Sequence, residues 1–422
     1  MVRPYRTILS AAWAVAIASA LAAVAPADAE TSGPVFRADG WQADEYGRGE
    51  GYPASTAARS EQKKSLIGSY SRWDELVSKR EITTEGKPAQ LARAPREPTI
   101  RYVSDGLTRS LDDYLDSYPI TGLLIARGDR ILVERYQYDR RDSDRFQSQS
   151  MAKTILALLI GIAVNEGKIK SLADTADSYV DALRDSEYGR TPLKALLQMS
   201  SGMRFKHGYA EGEQGTVGTP DTATLNRLRA RSVVQAVLHF KERAVPPGTR
   251  FNYTSADNLV LGLVLAAATG QTVSDYASEK LWGPLGAERN AVWRINRNGE
   301  ELTACCFGAI LRDYARLGSM LANDGKWQGR QIVPQDWLIA ATSVATSDRY
   351  LRLVSTKTKL GYGYQTWLLP EPGRMFVMRG FRGQELFVDP RSKTVMVQTA
   401  VWPTGRGSEV LALWRGVLDS LR

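Results

Sequence analysis

The chain has 422 residues, of which 43% are hydrophobic and 24% charged, an ordinary globular composition with material for one large domain or two or three smaller ones. That excludes a disordered, collagen-like or many-span membrane protein. The formal charge of +9 is mild over this length, and no Lys/Arg run forms a nucleic-acid stripe. A soluble basic surface accounts for it, with attraction to an anionic envelope polymer as the alternative. Only two histidines, His207 and His239, are present. A histidine-rich metal site is therefore excluded, and a Ser-His-Asp triad has only these two candidate bases. Acid–base chemistry must lean on Lys, Tyr, Asp or Glu.

Taken in chain order, the first element is a leader. Arg3 and Arg6 give a positive start, Ile8 to Val24 is an apolar run rich in alanine, and Ala27-Asp28-Ala29 places small residues where a signal peptidase reads. The reading is a signal peptide over 1–29 and an exported, periplasmic or secreted protein; a membrane anchor is the competing reading of the same run. Residues 30–96 are polar, with no sustained apolar period, and are expected to form a loosely packed extension with one short helix near Tyr70 to Val77. Residues 97–422 form the main domain. Leu107, Leu111, Tyr114 and Leu115 recur at helical spacing. Gly122 to Ala126 and Ile131 to Val133 flank the turn pair Gly128-Asp129 and predict a β-hairpin.

Between Met151 and Ala340 the pattern is mostly helix and loop. Met375 to Met378, Glu385 to Val388 and Thr394 to Gln398 then predict three antiparallel strands, and Ser408 to Leu421 a closing helix. The fold class is α+β, an antiparallel sheet built from both chain ends with a mostly helical region inserted. Cys305 and Cys306 are adjacent in an apolar stretch. Neighbouring Cα atoms lie closer than an ordinary disulfide prefers, so buried thiols are expected.

Ser150-Met151-Ala152-Lys153 is a Ser-x-x-Lys, which on a helix puts hydroxyl and amine on one face. A serine needs a base beside it, and a lysine serves only if burial lowers its pKa. The stretch Ile155 to Val164 is apolar almost all round, as a core helix would be, and supplies that burial. The chain carries its own control in Ser60-Glu61-Gln62-Lys63, which has the same spacing in the polar extension with no buried helix behind it. A lysine snorkelling from a helix start is the competing reading of Lys153. Pro247-Gly248 turns into a piece that presents Tyr253 before a helix from Leu259 to Ala268; Tyr253 is a packing residue or, coupled to Lys153, a proton shuttle. Gly380 in Arg379-Gly380-Phe381-Arg382-Gly383-Gln384 lets a substrate approach a strand edge, where a main-chain N–H can meet an oxyanion. His239, in the run Val233 to Phe240, is expected to be partly buried.

Four motifs in order, Ser150-Met151-Ala152-Lys153-Thr154, Leu196 to Met203 around Ser200-Ser201-Gly202, Pro247 to Ser255, and Gly380 to Gln384, resemble the serine β-lactamase and penicillin-binding-protein superfamily. The likeness is greatest to its class C, esterase and 6-aminohexanoate-dimer hydrolase branch and covers roughly residues 98–422. The resemblance implies that Ser150 is acylated, Lys153 activates it and Tyr253 shuttles the proton. It further implies an oxyanion hole from the N–H groups of Ser150 and Phe381, and substrate contacts from Tyr209, Ser255, Arg379, Gly380 and Arg382. No cofactor or metal is implied, and the expected partner is a small amide or ester, the alternatives being a β-lactamase or D-amino-acid peptidase acting on β-lactams or wall peptides, or a penicillin-binding sensor without turnover. Where lactamases carry Lys-Thr-Gly, this chain has Met378-Arg379-Gly380, so the lysine that helps hold a β-lactam carboxylate is missing.

Overall fold

In the computed structural model, which describes residue 1 and residues 33–55, 59–205, 220–355, 359–403 and 409–422, strands from both ends of the chain meet in one nine-stranded sheet. Ile120–Arg127 and Arg130–Tyr136 form the expected hairpin, and Phe376–Gly380, Gln384–Asp389 and Thr394–Ala400 follow as antiparallel neighbours. The two groups join where Thr394–Ala400 pairs antiparallel with Ile120–Arg127. Alternation then divides the core into two. Leu123, Ile125, Val377, Phe387 and Met396 pack with Tyr114, Leu413 and Trp414, from the helices Leu111–Ser117 and Glu409–Ser420. Their alternates Leu124, Ala126, Met378, Leu386 and Val397 pack on the opposite face with the helices Met151–Asn165 and Leu311–Ala322.

Two strands of the inserted region join two that precede it in a smaller four-stranded sheet, in the order Lys79–Ile82, Ala291–Arg294, Phe307–Ala309 and Phe146–Gln147, which the sequence pattern did not announce. Its last strand delivers the chain to Ser150. Met151–Asn165 is buried without interruption from Met151 through Ala163, as an all-round apolar helix must be. Among the described residues no single helix is long and apolar enough to cross a membrane.

Three expectations are corrected. Residues 30–96 are not loosely packed: Val35–Phe36 and Ala92–Arg93 add parallel to the edge strand Arg130–Tyr136, and Lys79–Ile82 adds to the small sheet. Tyr46, Tyr52, Tyr70, Ile67 and Tyr138 form a core of their own beneath them. The helix in this region is Leu66–Ser71, with a 3-10 turn at Trp73–Glu75 where Tyr70 to Val77 was expected. Leu107 belongs to a hairpin, Arg101–Ser104 with Leu107–Ser110, and is exposed; the helix begins only at Leu111. Its cap is Ser110, whose hydroxyl accepts from the Asp113 N–H while the Asp113 carboxylate accepts from the Ser110 N–H.

Candidate active site

Ser150 is the N-cap of Met151–Asn165, and the residue before it, Gln149, sits at φ 47°, a region few non-glycine residues adopt. The N–H groups of Met151, Ala152 and Lys153 turn back onto the carbonyls of Ser148, Gln149 and Ser150. This tight turn leaves the Ser150 N–H with no protein acceptor among the described residues, and the Phe381 N–H is in the same state. The end of the strand Phe376–Gly380 presses against the segment ahead of the serine. A Cβ placed on Gly380 would stand 2.3 Å from the Ser148 carbonyl oxygen and 2.9 Å from the Gln149 Cβ. Glycine is required there for close approach of two backbones, and that approach brings the turn beginning at Phe381 toward Ser150.

Lys153 is 1% exposed. Its Nζ donates to the Ala304 carbonyl at 2.6 Å and lies 2.9 Å from Ser150 Oγ, and it stands over the Tyr253 ring at 5.2 Å from the centroid. Burial holds its pKa well below the usual lysine range, and the positive charge of Arg229 pushes the same way. The amine is thus biased toward its neutral form, with a lone pair available to the serine hydroxyl.

Tyr253 is 9% exposed, stacked on Trp367 with ring centroids 5.5 Å apart and edge-on to Tyr362 at 6.1 Å. Such contacts are worth roughly 0.5–1.5 kcal/mol each beyond burial and hold the ring in place. The loop before it is fastened to the Ser200 motif: Asn252 N donates to the Met199 carbonyl at 2.7 Å and Gly248 N to the Ser200 carbonyl at 2.8 Å. Thr254 caps the helix Ser255–Thr269. Gln365 ties these pieces together, its carbonyl accepting from Thr154 Oγ1 at 2.6 Å and its side chain bonding Asn258 and the Leu196 carbonyl. Ala304, Gln365 and Trp367 were not among the expected residues. A backbone carbonyl leaves no mark in sequence, and an isolated Gln or Trp reads as packing.

Beneath Tyr253 lies Asp257, fully buried, which accepts from Ser201 Oγ at 2.8 Å and from Tyr188 OH at 3.0 Å. Burial pushes its pKa up to about 7 against the opposing pull of those hydrogen bonds. Between about pH 4 and pH 7 the folded chain holds a proton here that the unfolded chain has released. The stability this carboxyl contributes is complete below that window and is lost as pH rises through it. Asp257→Asn is therefore expected to gain on the parent in Tm as pH rises from 4 to 7 in thermal melts; a difference that does not change with pH would contradict this.

The expected substrate arginines are otherwise engaged. Arg379 forms a buried pair with Glu385, its cross-strand neighbour, at 2.8 Å. Arg382 bonds Glu61 at 2.7 and 2.9 Å, donates to the Trp402 carbonyl at 2.8 Å and covers the Phe381 ring. Neither guanidinium is held toward the serine as a substitute for the missing lysine. Ser255 begins its helix half-buried and makes no hydrogen bond with Lys153, whose partners are Ser150 and Ala304. Tyr209 and His207 lie outside the described residues. His239 is exposed, edge-on to Phe240, rather than partly buried, because the helix ends at Leu238. Cys305 and Cys306 are not thiols but a disulfide: Cys306 takes φ 68°, which lets the two neighbouring side chains meet.

A serine at the start of a buried helix thus stands 2.9 Å from a buried lysine amine, beside the turn that follows the strand Phe376–Gly380. The model of the Beta-lactamase family matches residues 107–412, and the chain belongs to that family. It is 25% identical over 361 residues to a 6-aminohexanoate-dimer hydrolase of Paenarthrobacter ureafaciens, covering 83% of this chain and 91% of the relative. Among solved structures, one from Bacillus anthracis named "Putative 6-aminohexanoate-dimer hydrolase" superposes with a TM-score of 0.74 at 22% identity, covering 87% of this chain and 97% of that one. A family VIII carboxylesterase superposes with a TM-score of 0.55 at 16% identity, over 72% and 93%. These superpositions establish the β-lactamase/transpeptidase fold.

Proposed function

We propose that this enzyme is an exported serine hydrolase that cleaves an amide or ester bond of a small linear substrate through an acyl-enzyme on Ser150. The observation that carries the reading is the 2.9 Å approach of Ser150 Oγ to an amine that is 1% exposed and fixed by a carbonyl. Lys153, neutral, takes the Ser150 proton as Oγ attacks the carbonyl carbon. The N–H groups of Ser150 and Phe381 receive the oxyanion. Tyr253 passes the proton to the leaving amine or alcohol as the tetrahedral intermediate collapses. Water, deprotonated by the same pair, then releases the acid.

The substrate class is supported by the relative named a 6-aminohexanoate-dimer hydrolase and by the engagement of Arg379 and Arg382. Without a cation in the position of the lactamase lysine, a bicyclic β-lactam carboxylate has no matching anchor. Export is supported by the leader over 1–29 and by the Cys305–Cys306 disulfide, which suits an oxidising compartment. The test is a panel: a p-nitrophenyl ester, a linear amide, a chromogenic β-lactam and a D-amino-acid peptide. Each is run with the parent, Ser150→Ala and Ser60→Ala. Ester and linear-amide turnover should fall by roughly a thousandfold in Ser150→Ala and stay within about twofold in Ser60→Ala. Preferred turnover of the β-lactam or the D-peptide would overturn the substrate class. Acylation with no turnover of any substrate would identify a sensor.

A further inference from the structure

The loop that anchors Lys153 uses nearly every carbonyl it has. Leu302 and Cys305 accept from the Trp293 indole N–H at 3.2 and 2.9 Å, Ala304 from Lys153 Nζ at 2.6 Å, Cys306 from Arg294 N at 2.9 Å, and Phe307 from Ser148 N at 2.8 Å. On its other side Thr303 fills the space over Gly262, where an added Cβ would stand 2.7 Å from Thr303 Oγ1, on the helix that begins just after Tyr253. One short turn thus touches the lysine, the segment leading to the nucleophile and the helix behind the tyrosine. At its centre Cys306 occupies the left-handed region at φ 68°, and its side chain is joined to that of Cys305. A cysteine has no intrinsic preference for that region, so two separate thiols would leave the turn without the link that holds it.

We propose that the Cys305–Cys306 disulfide is a positioning element for the reaction: it fixes the turn that aims the Ala304 carbonyl at Lys153 Nζ. The inference rests on the reading of Lys153 as the base for Ser150. A neutral amine has two hydrogens and one lone pair. When Ala304 takes one hydrogen in a fixed direction, fewer directions remain for the lone pair, and one of them faces Ser150 Oγ at 2.9 Å. After proton transfer the same carbonyl accepts from the ammonium and stabilises it, an interaction stronger than a neutral hydrogen bond. Opening the disulfide takes two electrons and two protons, supplied by a phosphine and water, and yields two thiols and the phosphine oxide. The freed turn holds the carbonyl less well. The ammonium then loses an acceptor, so the lysine is harder to protonate and its positioning poorer.

The experiment compares the parent, the phosphine-reduced parent, the same sample reoxidised, and Cys305→Ser/Cys306→Ser, with ester kinetics across pH and circular dichroism as a check on folding. Intact mass should show the parent two hydrogens lighter than its reduced form. Reduction and the double substitution should each lower kcat by roughly tenfold with KM changed less than about twofold, and should move the acid limb of the kcat profile to lower pH. Reoxidation should restore the parent values, which a merely misfolded sample would not do. Reduced and substituted proteins with the parent's kcat and pH profile would overturn the proposal, as would a parent purified with two free thiols. A fluorophosphonate that labels Ser150 in every form keeps the nucleophile assignment separate from this result.

Discussion

Lys153→Met is expected to reduce ester turnover by roughly a thousandfold or more while making the protein more stable at neutral pH. The first effect follows because the proposed mechanism gives the Ser150 proton to this amine, 2.9 Å from Oγ; the second follows from burial. Lys153 is buried against Tyr253 and the Ala304 turn and bonds no carboxylate among the described residues, so the folded state pays for a buried amine that the unfolded chain leaves hydrated. A methionine of similar length fills the space without that penalty, and a gain of about 1 kcal/mol is the expected scale. The sign can be checked against pH. The folded pKa is lowered, so the unfolded chain binds the extra proton, and the parent's stability rises as pH climbs from the folded value toward 10.5. The advantage of the methionine variant should shrink over that range. Chemical denaturation from pH 7 to pH 10 measures it; a variant less stable than the parent at pH 7 would count against a desolvated catalytic amine.

Arg379→Ala is expected to destabilise the protein by about 3–5 kcal/mol, because it leaves Glu385 as an unpaired charge inside the sheet. The Glu385 side chain is completely buried, its Oε1 accepts from Arg379, and its Oε2 has no hydrogen-bond partner among the described residues. Burial already pushes the carboxyl pKa up, and the arginine opposes that shift. Without the arginine the carboxyl would take up a proton to avoid the buried charge. The loss should therefore be smaller near pH 5 than at pH 8. Arg379→Met/Glu385→Met should recover most of it, since a well-packed apolar pair commonly replaces a buried ion pair without loss. A single variant within 1 kcal/mol of the parent in urea denaturation would show that the pair is not what holds this arginine.

Sequence carried the centre of the site further than its rim. Ser150 and Lys153 stood out because the apolar run behind them marks a core helix, and the same spacing at Ser60 lacked one. The two strand groups were visible as β-rich runs around Gly128 and between Met375 and Gln398, and they do lie side by side. The ion pairs of Arg379 and Arg382 were not legible because their carboxylates stand in other elements: Glu385 on the next strand and Glu61 some 321 residues away in sequence. The segment 30–96 was misread for a related reason. Its aromatic residues, Tyr46, Tyr52 and Tyr70 among them, follow no period because they fill a core formed by turns rather than by one helix or strand. The disulfide was missed because neighbouring Cα atoms lie closer than an ordinary disulfide prefers, and no local pattern announced the left-handed backbone that Cys306 adopts.

The central claim is that Ser150 carries the acyl group. Its most direct measurement is peptide mapping by mass spectrometry of enzyme quenched with acid during hydrolysis of a p-nitrophenyl ester. The account predicts one acyl group per chain, on the peptide containing Ser150, absent in Ser150→Ala and still present in Ser60→Ala. Acyl on another residue, or ester turnover that persists in Ser150→Ala at the parent's rate, would contradict it.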